Sequence, residues 1–196
     1  WSKLKANYID NGVDALWFDE AEPEIHPEHF DNLIWYKGRA DMVALLYPYY
    51  YSKMAYDGFK SIGRDDIITL TRCAYLGSQK FGSLVWSGDI ESTFESLACQ
   101  VKAGLNMAMC GIPWWNTDIG GFYGADITSD YFKELIVRWF QFGLFSPVMR
   151  LHSTNNEFAG KEPWKFSGPV QKIASDALRL RHKLLLWSSV TVIISK

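Results

Sequence analysis

Short apolar runs alternate along the chain with longer segments of helical periodicity. The first run, residues 13–18, is followed at once by an acid, Asp19, and then by three glutamates. An apolar run of this length that ends in acids predicts a buried parallel strand with carboxylates at its C-terminal end. Because successive side chains of a strand point to opposite faces, Ala15, Trp17 and Asp19 are expected to share one face. Asp19 is then either a functional carboxylate at the rim or the cap of the following segment.

Four further apolar runs also lead into an ionisable side chain. They cover residues 67–71, 84–88, 112–117 and 145–149, and the residues that follow them are Arg72, Asp89, Asp118 and Arg150. The carboxyl ends of parallel strands are where α/β proteins place their active sites. The repeated ending therefore predicts one polar pocket walled by strand ends.

Helical patterns separate these runs. Apolar residues at helical spacing predict a helix over residues 45–62, with Pro48 in its first turns. Ser92 and Glu95 have the capping-box spacing at the start of a second helix. That helix carries an apolar series at four-residue spacing: Leu97, Val101, Leu105 and Met109.

Two more helices are predicted in the second half of the chain. Ser129 is placed to cap a helix that runs to about Phe140, and Ser167 and Pro169 open a last one. The inner face of that last helix is predicted from its apolar spacing: Val170, Ile173, Ala174, Ala177, Leu178 and Leu185. Strands that alternate with helices indicate βαβ units on a parallel sheet, and hence an α/β fold.

Two parallel architectures fit this alternation. A complete (β/α)8 barrel needs about 250 residues, whereas this chain has 196 and about five units. It is therefore either a doubly wound open sheet or an incomplete barrel. The doubly wound fold predicts a glycine-rich phosphate loop after the first strand, but Asp19 and its acidic neighbours would repel phosphate. The glycines at 120 and 121 are instead expected in a tight turn.

Two segments depart from the alternating pattern. Residues 23–41 are polar and irregular, which predicts a long loop at the acidic rim. His26 and His29 could chelate a metal, but Pro27 disfavours a helix that would present both on one face, so no metal site is predicted. Residues 188–196 are β-branched and predict a strand directly after the last helix.

Composition narrows the classes of partner. The chain is 48% hydrophobic and 16% aromatic, and it carries a net charge of −2 with scattered Lys and Arg. It therefore lacks the basic patch that nucleic-acid binding needs, and no apolar run reaches the ~18 residues of a membrane span. Cys73, Cys99 and Cys110 show no metal-ligand spacing and are expected to be small buried apolar residues.

Five motifs, in this order, resemble those of the glycoside hydrolase family 31 group of α-glycosidases. They are WFDEAEPE, LTR, WSGD, GIPWWNTDIGGF and MRLH. The resemblance runs from Gly12 to about Leu186 and implies a (β/α)8 TIM barrel, of which this chain would carry approximately strands four to eight. Residues 1–187 are accordingly expected to be a partial catalytic barrel and residues 188–196 an atypical C-terminal tail.

The resemblance also implies a role for the residues at the strand ends. Asp19 matches the family's nucleophile, Asp89 its general acid/base and Glu22 a supporting acid. The residues that match the lining of the sugar pocket are Arg72, Trp86, Asp118, Phe122, Arg150 and His152. Independently of sugar binding, Asp118 and Arg150 are expected to form an ion pair at the rim. The chemistry requires neither a cofactor nor a metal.

The implied activity is that of a retaining, exo-acting α-glycosidase that releases terminal α-linked glucose or xylose. Such enzymes use two carboxyl groups about 5–5.5 Å apart, one ionised and one protonated. Two alternatives remain open: a transglycosylase of the same family, and a non-catalytic carbohydrate-binding fragment. Because about five βα units cannot close a barrel, the isolated chain is expected to be inactive.

Overall fold

The structure, a computed structural model, describes residues 1–22, 32–156 and 159–194, with side chains described through residue 185. The predictions about His26 and His29 lie outside the described residues. The chain divides into two compact units. The first comprises Trp1–Trp86 and Cys110–Trp114, and the second comprises Ser87–Met109 and Trp115–Lys196. None of the described helices is both long and apolar enough to cross a bilayer.

The first unit contains a parallel array of strands. Its elements are α1 (Ser2–Asn7), β1 (Leu16–Phe18), β2 (Ile34–Trp35), β3 (Gly38–Arg39), α2 (Ala40–Val43), α3 (Tyr47–Ser61), β4 (Thr69–Thr71) and β5 (Ser83–Trp86). β4 pairs in parallel with β1 on one side and with β5 on the other. The runs at 13–18, 67–71 and 84–88 thus contain the predicted strands, and α3 confirms the helix predicted over 45–62.

The core of the first unit explains the two faces of β1. Leu16 and Phe18 are buried in one apolar cluster with Ala55 and Phe59 of α3. Trp17, between them, is 47% exposed and points to the opposite face. The predicted alternation is therefore confirmed, and it directs Asp19 to the face that does not pack on α3.

The second unit is built around two packed helices. Its elements are α4 (Phe94–Met109), β6 (Trp115–Asn116), β7 (Asp118–Ile119), α5 (Asp130–Gly143), β8 (Arg150–Leu151) and α6 (Gly168–Ile194). Buried residues of α5 and α6 share one apolar cluster, including Trp139 and Ala174. The predicted cap of α5 is confirmed, because Ser129 Oγ accepts a hydrogen bond from the Phe132 N–H at 3.1 Å.

The strand predicted over residues 145–149 is wrong. These residues form turns, and the strand of this region is β8, at Arg150–Leu151. Pro147 lacks the N–H that a strand ladder needs. In addition, the Arg181 guanidinium of α6 donates hydrogen bonds to nearby carbonyls, including those of Leu144 at 3.1 Å and Ser146 at 2.8 Å, so these carbonyls are not available to a strand ladder.

The strand predicted over residues 188–196 is wrong for the described part, residues 188–194, because α6 continues to Ile194. Extending an existing helix adds one hydrogen bond for each residue that is fixed. The propensity cost of a β-branched residue in a helix is at most about 0.7 kcal/mol. No glycine or proline lies after Pro169 to end the helix, so local continuation prevails over β preference.

The start of α4 departs from the predicted capping box. Thr93, not Ser92, caps the helix: Thr93 Oγ1 accepts a hydrogen bond from the Ser96 N–H at 3.1 Å. Ser92 is buried, and its backbone N–H donates to the Tyr123 carbonyl at 2.9 Å. Thr93 therefore takes the capping role predicted for Ser92, because Ser92 is engaged in a contact distant in sequence.

The apolar series along α4 is not a buried face. Leu97 packs against the core, but Val101, Leu105 and Met109 are exposed, Met109 by 88%. The prediction that all three cysteines are buried is also wrong. Cys73 is half-buried, whereas Cys99 and Cys110 are exposed.

The inner face predicted for α6 is confirmed in part. Ala174 and Ala177 are buried, and Val170 and Leu178 pack against the same cluster. Ile173 and Leu185 are exposed. The buried stripe of α6 is therefore narrower than the apolar spacing predicts.

Candidate active site

The first unit brings Arg72 together with Asp19 and Glu22. Asp19 follows β1 and Arg72 follows β4, and these strands are parallel neighbours, so their ends meet at one edge. Arg72 Nη1 lies 3.6 Å from Asp19 Oδ1, and the guanidinium also contacts Glu22 closely. One cation, Arg72, therefore faces two carboxylates.

Asp19 is the accessible member of this cluster. Its side chain is 63% exposed, whereas that of Arg72 is 17% exposed. Asp19 Oδ1 accepts a hydrogen bond from the Glu20 N–H at 2.9 Å. Glu20 has a φ of +47°, a left-handed conformation that is uncommon for residues other than glycine. A locally unfavourable turn thus holds the Asp19 carboxylate in an exposed position at the strand end.

Electrostatics keep Glu22 ionised. Burial by itself would raise the pKa of Glu22, but its hydrogen bond to Arg72 and the Arg72 charge outweigh burial and lower the pKa. Beside it, burial and the charge of Glu22 raise the pKa of Cys73 to about 12. Cys73 therefore remains a neutral thiol, and the charge of the cluster is carried by Arg72 and the carboxylates.

Trp86 is placed differently from the sequence-based expectation of a pocket lining. Its side chain is fully buried on β5, where its ring meets that of Trp17 edge to face, with centroids 5.7 Å apart. Of these two rings, Trp17 is the one whose surface a sugar could reach. Sequence reasoning placed Trp17 on the face of Asp19 but did not include it among the site residues.

The second unit contains the predicted ion pair between Asp118 and Arg150. The two residues are register partners in the parallel pair of β7 and β8. Arg150 Nη2 contacts Asp118 Oδ1, and Arg150 Nε donates to Asn116 Oδ1 at 3.2 Å. Asp118 has no exposed surface. A buried carboxylate needs such a partner, because its desolvation is otherwise costly.

Burial also shifts the titration of this cluster. Burial raises the pKa of Asp118 to about 6, with Arg150 and Lys161 opposing the shift and the charge of Asp89 adding to it. Burial likewise lowers the pKa of Lys161 to about 8. Asp89 itself is exposed, so its carboxyl group is accessible.

The glycine turn after β7 is tight, as predicted. The Gly121 N–H donates to the Asp118 carbonyl at 2.8 Å, and Gly120 and Gly121 both have positive φ angles. A Cβ at position 121 would lie 2.6 Å from the Ser92 backbone. Only glycine fits there, and the turn brings the next residue, Phe122, back toward the start of α4.

Phe122 and His152 form an aromatic pair at the mouth of the second unit's strands. Their ring centroids are 5.4 Å apart, and the ring planes are inclined by 32°. The Thr154 N–H donates to the Phe122 carbonyl at 2.9 Å, which ties the two loops together. His152 also lines a pocket of about 250 Å³ with Leu151, Ser153, Gly160, Lys161 and Glu162.

Sequence reasoning missed two polar residues of the second cluster. Asn116 lies two residues before Asp118 in the motif GIPWWNTDIGGF, and nothing in that sequence distinguishes it as a hydrogen-bond partner of Arg150. Lys161 lies in an irregular loop, away from any strand end. Among the described residues, no three His, Cys, Asp or Glu side chains converge on a common point where a metal ion could bind.

Parallel strands followed by ionisable residues, as β1 is by Asp19 and β4 by Arg72, are typical of α/β proteins that include the βα barrels. Consistent with this class, the family model of the "Glycosyl hydrolases family 31 TIM-barrel domain" matches residues 1–187. The chain belongs to glycoside hydrolase family 31. The predicted fold class, an incomplete (β/α)8 barrel, is thereby confirmed.

Individual relatives agree with this assignment. The chain is 47% identical over 152 residues to the "Uncharacterized family 31 glucosidase ORF2" of Pseudescherichia vulneris, covering 78% of this chain and 29% of that protein. It is 38% identical over 192 residues to an α-xylosidase of Saccharolobus solfataricus, and the match covers 94% of this chain and 25% of that protein. A crystal structure of a GH31 α-xylosidase from a soil metagenome, complexed with xylose, superposes with a TM-score of 0.88 at 42% identity. The superposition covers 96% of this chain and 30% of that chain. The chain thus spans less than a third of these relatives' length.

Proposed function

We propose that the protein is a retaining, exo-acting α-glycosidase that removes terminal α-linked xylose or glucose. Two of its relatives are α-xylosidases, one of them complexed with xylose. The observation that carries the proposal is the exposed carboxylate of Asp19, held 3.6 Å from Arg72 at the end of β1. An accessible, charge-supported carboxylate at a strand end suits a nucleophile.

In this proposal Asp19 attacks the anomeric carbon and forms a glycosyl ester. The bond to the leaving oxygen breaks as that oxygen receives a proton from Asp89. Asp89 then removes a proton from water, which hydrolyses the ester and restores both carboxyl groups. Two displacements at one carbon return the sugar with its α configuration retained.

Arg72 and Glu22 support the nucleophile from the side. The positive charge of Arg72 favours the ionised form of a neighbouring carboxylate. Because Glu22 contacts the same guanidinium, it fixes the orientation of Arg72 relative to Asp19. Glu22 is thus proposed as a supporting residue.

The remaining residues are proposed to bind the sugar, some directly and some through a neighbour. Phe122 and His152 form a ring pair that can stack on a sugar or hydrogen-bond its hydroxyl groups. The carboxylate of Asp118 is fully buried, so it acts by orienting Arg150. In the same way, the buried Trp86 acts by supporting the exposed ring of Trp17.

Trapping of the glycosyl ester tests this function in the complete protein. A 5-fluoro-α-glycosyl fluoride of xylose or glucose should inactivate the enzyme and label the peptide that carries Asp19. Labelling of Glu22 or Glu24 would contradict the assignment of the nucleophile.

Product analysis tests the stereochemistry and the class of reaction. Proton NMR of the hydrolysis products should show the α-anomer first. Oligosaccharide products would indicate a transglycosylase, and sugar-dependent tryptophan quenching without turnover would indicate a binding protein.

A further inference from the structure

A buried lysine joins the two loops that carry Phe122 and His152. Lys161 is 3% exposed and lies just before the 3-10 helix Pro163–Lys165. Its ammonium group donates to the His152 carbonyl at 2.7 Å and also contacts the Gly121 carbonyl closely. One of these carbonyls belongs to the loop after β7, and the other belongs to the residue that follows β8.

The surroundings of Lys161 fit this bridging position. A Cβ at position 120 would lie 2.8 Å from Lys161 Cδ, so the glycine there leaves room for the lysine side chain. A buried ammonium group is costly unless it is hydrogen-bonded. Both of the contacts named above are charge-assisted hydrogen bonds, which are the stronger kind. The position is therefore suited to a cation that holds two backbone segments at a fixed distance.

We propose that Lys161 is a positioning residue for sugar binding, whose ammonium group sets the spacing of the Phe122 and His152 rings. Gly121 immediately precedes Phe122, and the second carbonyl is that of His152 itself, so each bond acts within one residue of a ring. The inference rests on the proposed function, in which these rings contact the sugar. Lys161 acts through them, because its bonds to Gly121 and His152 go to backbone carbonyls.

Three variants of the complete protein test the proposal. Lys161→Met keeps the length and apolar character of the side chain but removes the ammonium group. Lys161→Arg keeps a cation with several donors. Lys165→Met is the matched control, because Lys165 is an exposed lysine of the neighbouring turn. For each variant we would measure amide hydrogen exchange by peptide, together with kcat and KM for p-nitrophenyl α-xyloside and α-glucoside.

We expect Lys161→Met to accelerate exchange selectively in peptides covering residues 119–124 and 150–154. We also expect KM to rise about 10- to 100-fold with a smaller change in kcat, because loosely held rings weaken the binding of the sugar in the ground state and the transition state alike. Lys161→Arg should restore part of the lost affinity, and Lys165→Met should match the wild type.

Two results would overturn the proposal. One is unchanged exchange in both loops of Lys161→Met, and the other is a uniform acceleration across the second unit without a selective rise in KM. If Lys161→Met does not fold, a Lys161→Arg protein whose exchange and KM lie near those of the wild type, with any faster exchange confined to the two loops, would support the bridge. Faster exchange of Lys161→Arg throughout the unit would refute it. A wild type that turns over neither substrate would reject the proposed function, while exchange would still decide the role of the bridge.

Discussion

Asp19 follows β1 and Asp118 begins β7, and their carboxylates have opposite surroundings. The side chain of Asp19 is largely exposed and has Arg72 at its side, whereas Asp118 is buried and contacts Arg150. An exposed carboxylate can reach a substrate, and a buried one can act only through its partner. Two aspartates that each follow an apolar run therefore differ in what they can contact: Asp19 is open to a substrate, and Asp118 is not.

Replacement of Asp89 by alanine should show whether Asp89 acts as the general acid/base or has only a structural role. We expect Asp89→Ala to slow substrates with poor leaving groups far more than activated aryl glycosides, because only the former need a proton from the enzyme. Azide should restore turnover and give a glycosyl azide of retained α configuration. The measurement is kcat/KM for both substrate types with and without azide. Equal losses on both, without rescue, would show that Asp89 has a structural role.

Asp118 should make the stability of the protein depend on pH. Its pKa is about 6 in the folded state and about 3.9 when unfolded. Between these values the folded state binds more protons, so the contribution of this carboxyl to stability falls as pH rises through the interval. Relative to Asp118→Asn, the wild type should gain stability on the order of 2 kcal/mol as pH is lowered from about 6 to 4.

Melting curves of the wild type and Asp118→Asn, recorded across this pH range, provide the measurement. The amide in Asp118→Asn can still accept a hydrogen bond from Arg150 and does not titrate, so the variant lacks the pH dependence of this carboxyl. A constant difference in Tm across the range would contradict the raised pKa of Asp118.

At the scale of elements, helix ends depend on contacts that lie outside the helix. Ser92 satisfies the sequence pattern of a cap for α4, but its backbone is tied to Tyr123, and Thr93 takes the capping position. In contrast, Ser129 caps α5 as its sequence predicts. A local pattern is therefore reliable only where no distant segment binds the same residues.

Alanine substitutions at the start of α4 distinguish the two candidate caps. We expect Thr93→Ala to destabilise the protein by about 1 kcal/mol, because it removes the acceptor for the Ser96 N–H. Ser92→Ala should have a smaller effect, since Ser92 makes its contact with Tyr123 through the backbone. The check is the change in Tm of each variant. A larger loss for Ser92→Ala would restore the capping box as the better description.

At the scale of the whole molecule, large apolar side chains remain exposed in both units. They include Ile34, Tyr36, Leu105, Met109, Phe145 and Trp164. Exposed apolar surface of this kind marks either a binding surface or a risk of aggregation.

We therefore expect the 196-residue chain, expressed by itself, to aggregate and to lack turnover. Open sheet edges add to the exposed apolar surface as a cause of association. Size-exclusion chromatography, a melting scan and hydrolysis of p-nitrophenyl α-glucoside and α-xyloside test this expectation. A monomeric sample that melts sharply and hydrolyses either substrate at ordinary enzyme rates would contradict it.

The sequence by itself determined the class of fold and the identity of the strand-end residues. Apolar runs followed by Asp19, Arg72 and Asp89 indicated parallel strands, because the pattern depends only on which faces of each strand are buried. The five motifs indicated the family. The ion pair of Asp118 and Arg150 was expected from the sequence as a contact that closes the rim.

The tertiary structure alone decided which residues are exposed and which groups meet across the chain. Nothing local indicates that Lys161 reaches the carbonyls of Gly121 and His152, because this contact joins segments distant in sequence. The exposure of Met109 likewise depends on what packs against α4, not on the apolar spacing along it. Periodicity determines which residues can share a face, but only the folded chain determines what covers that face.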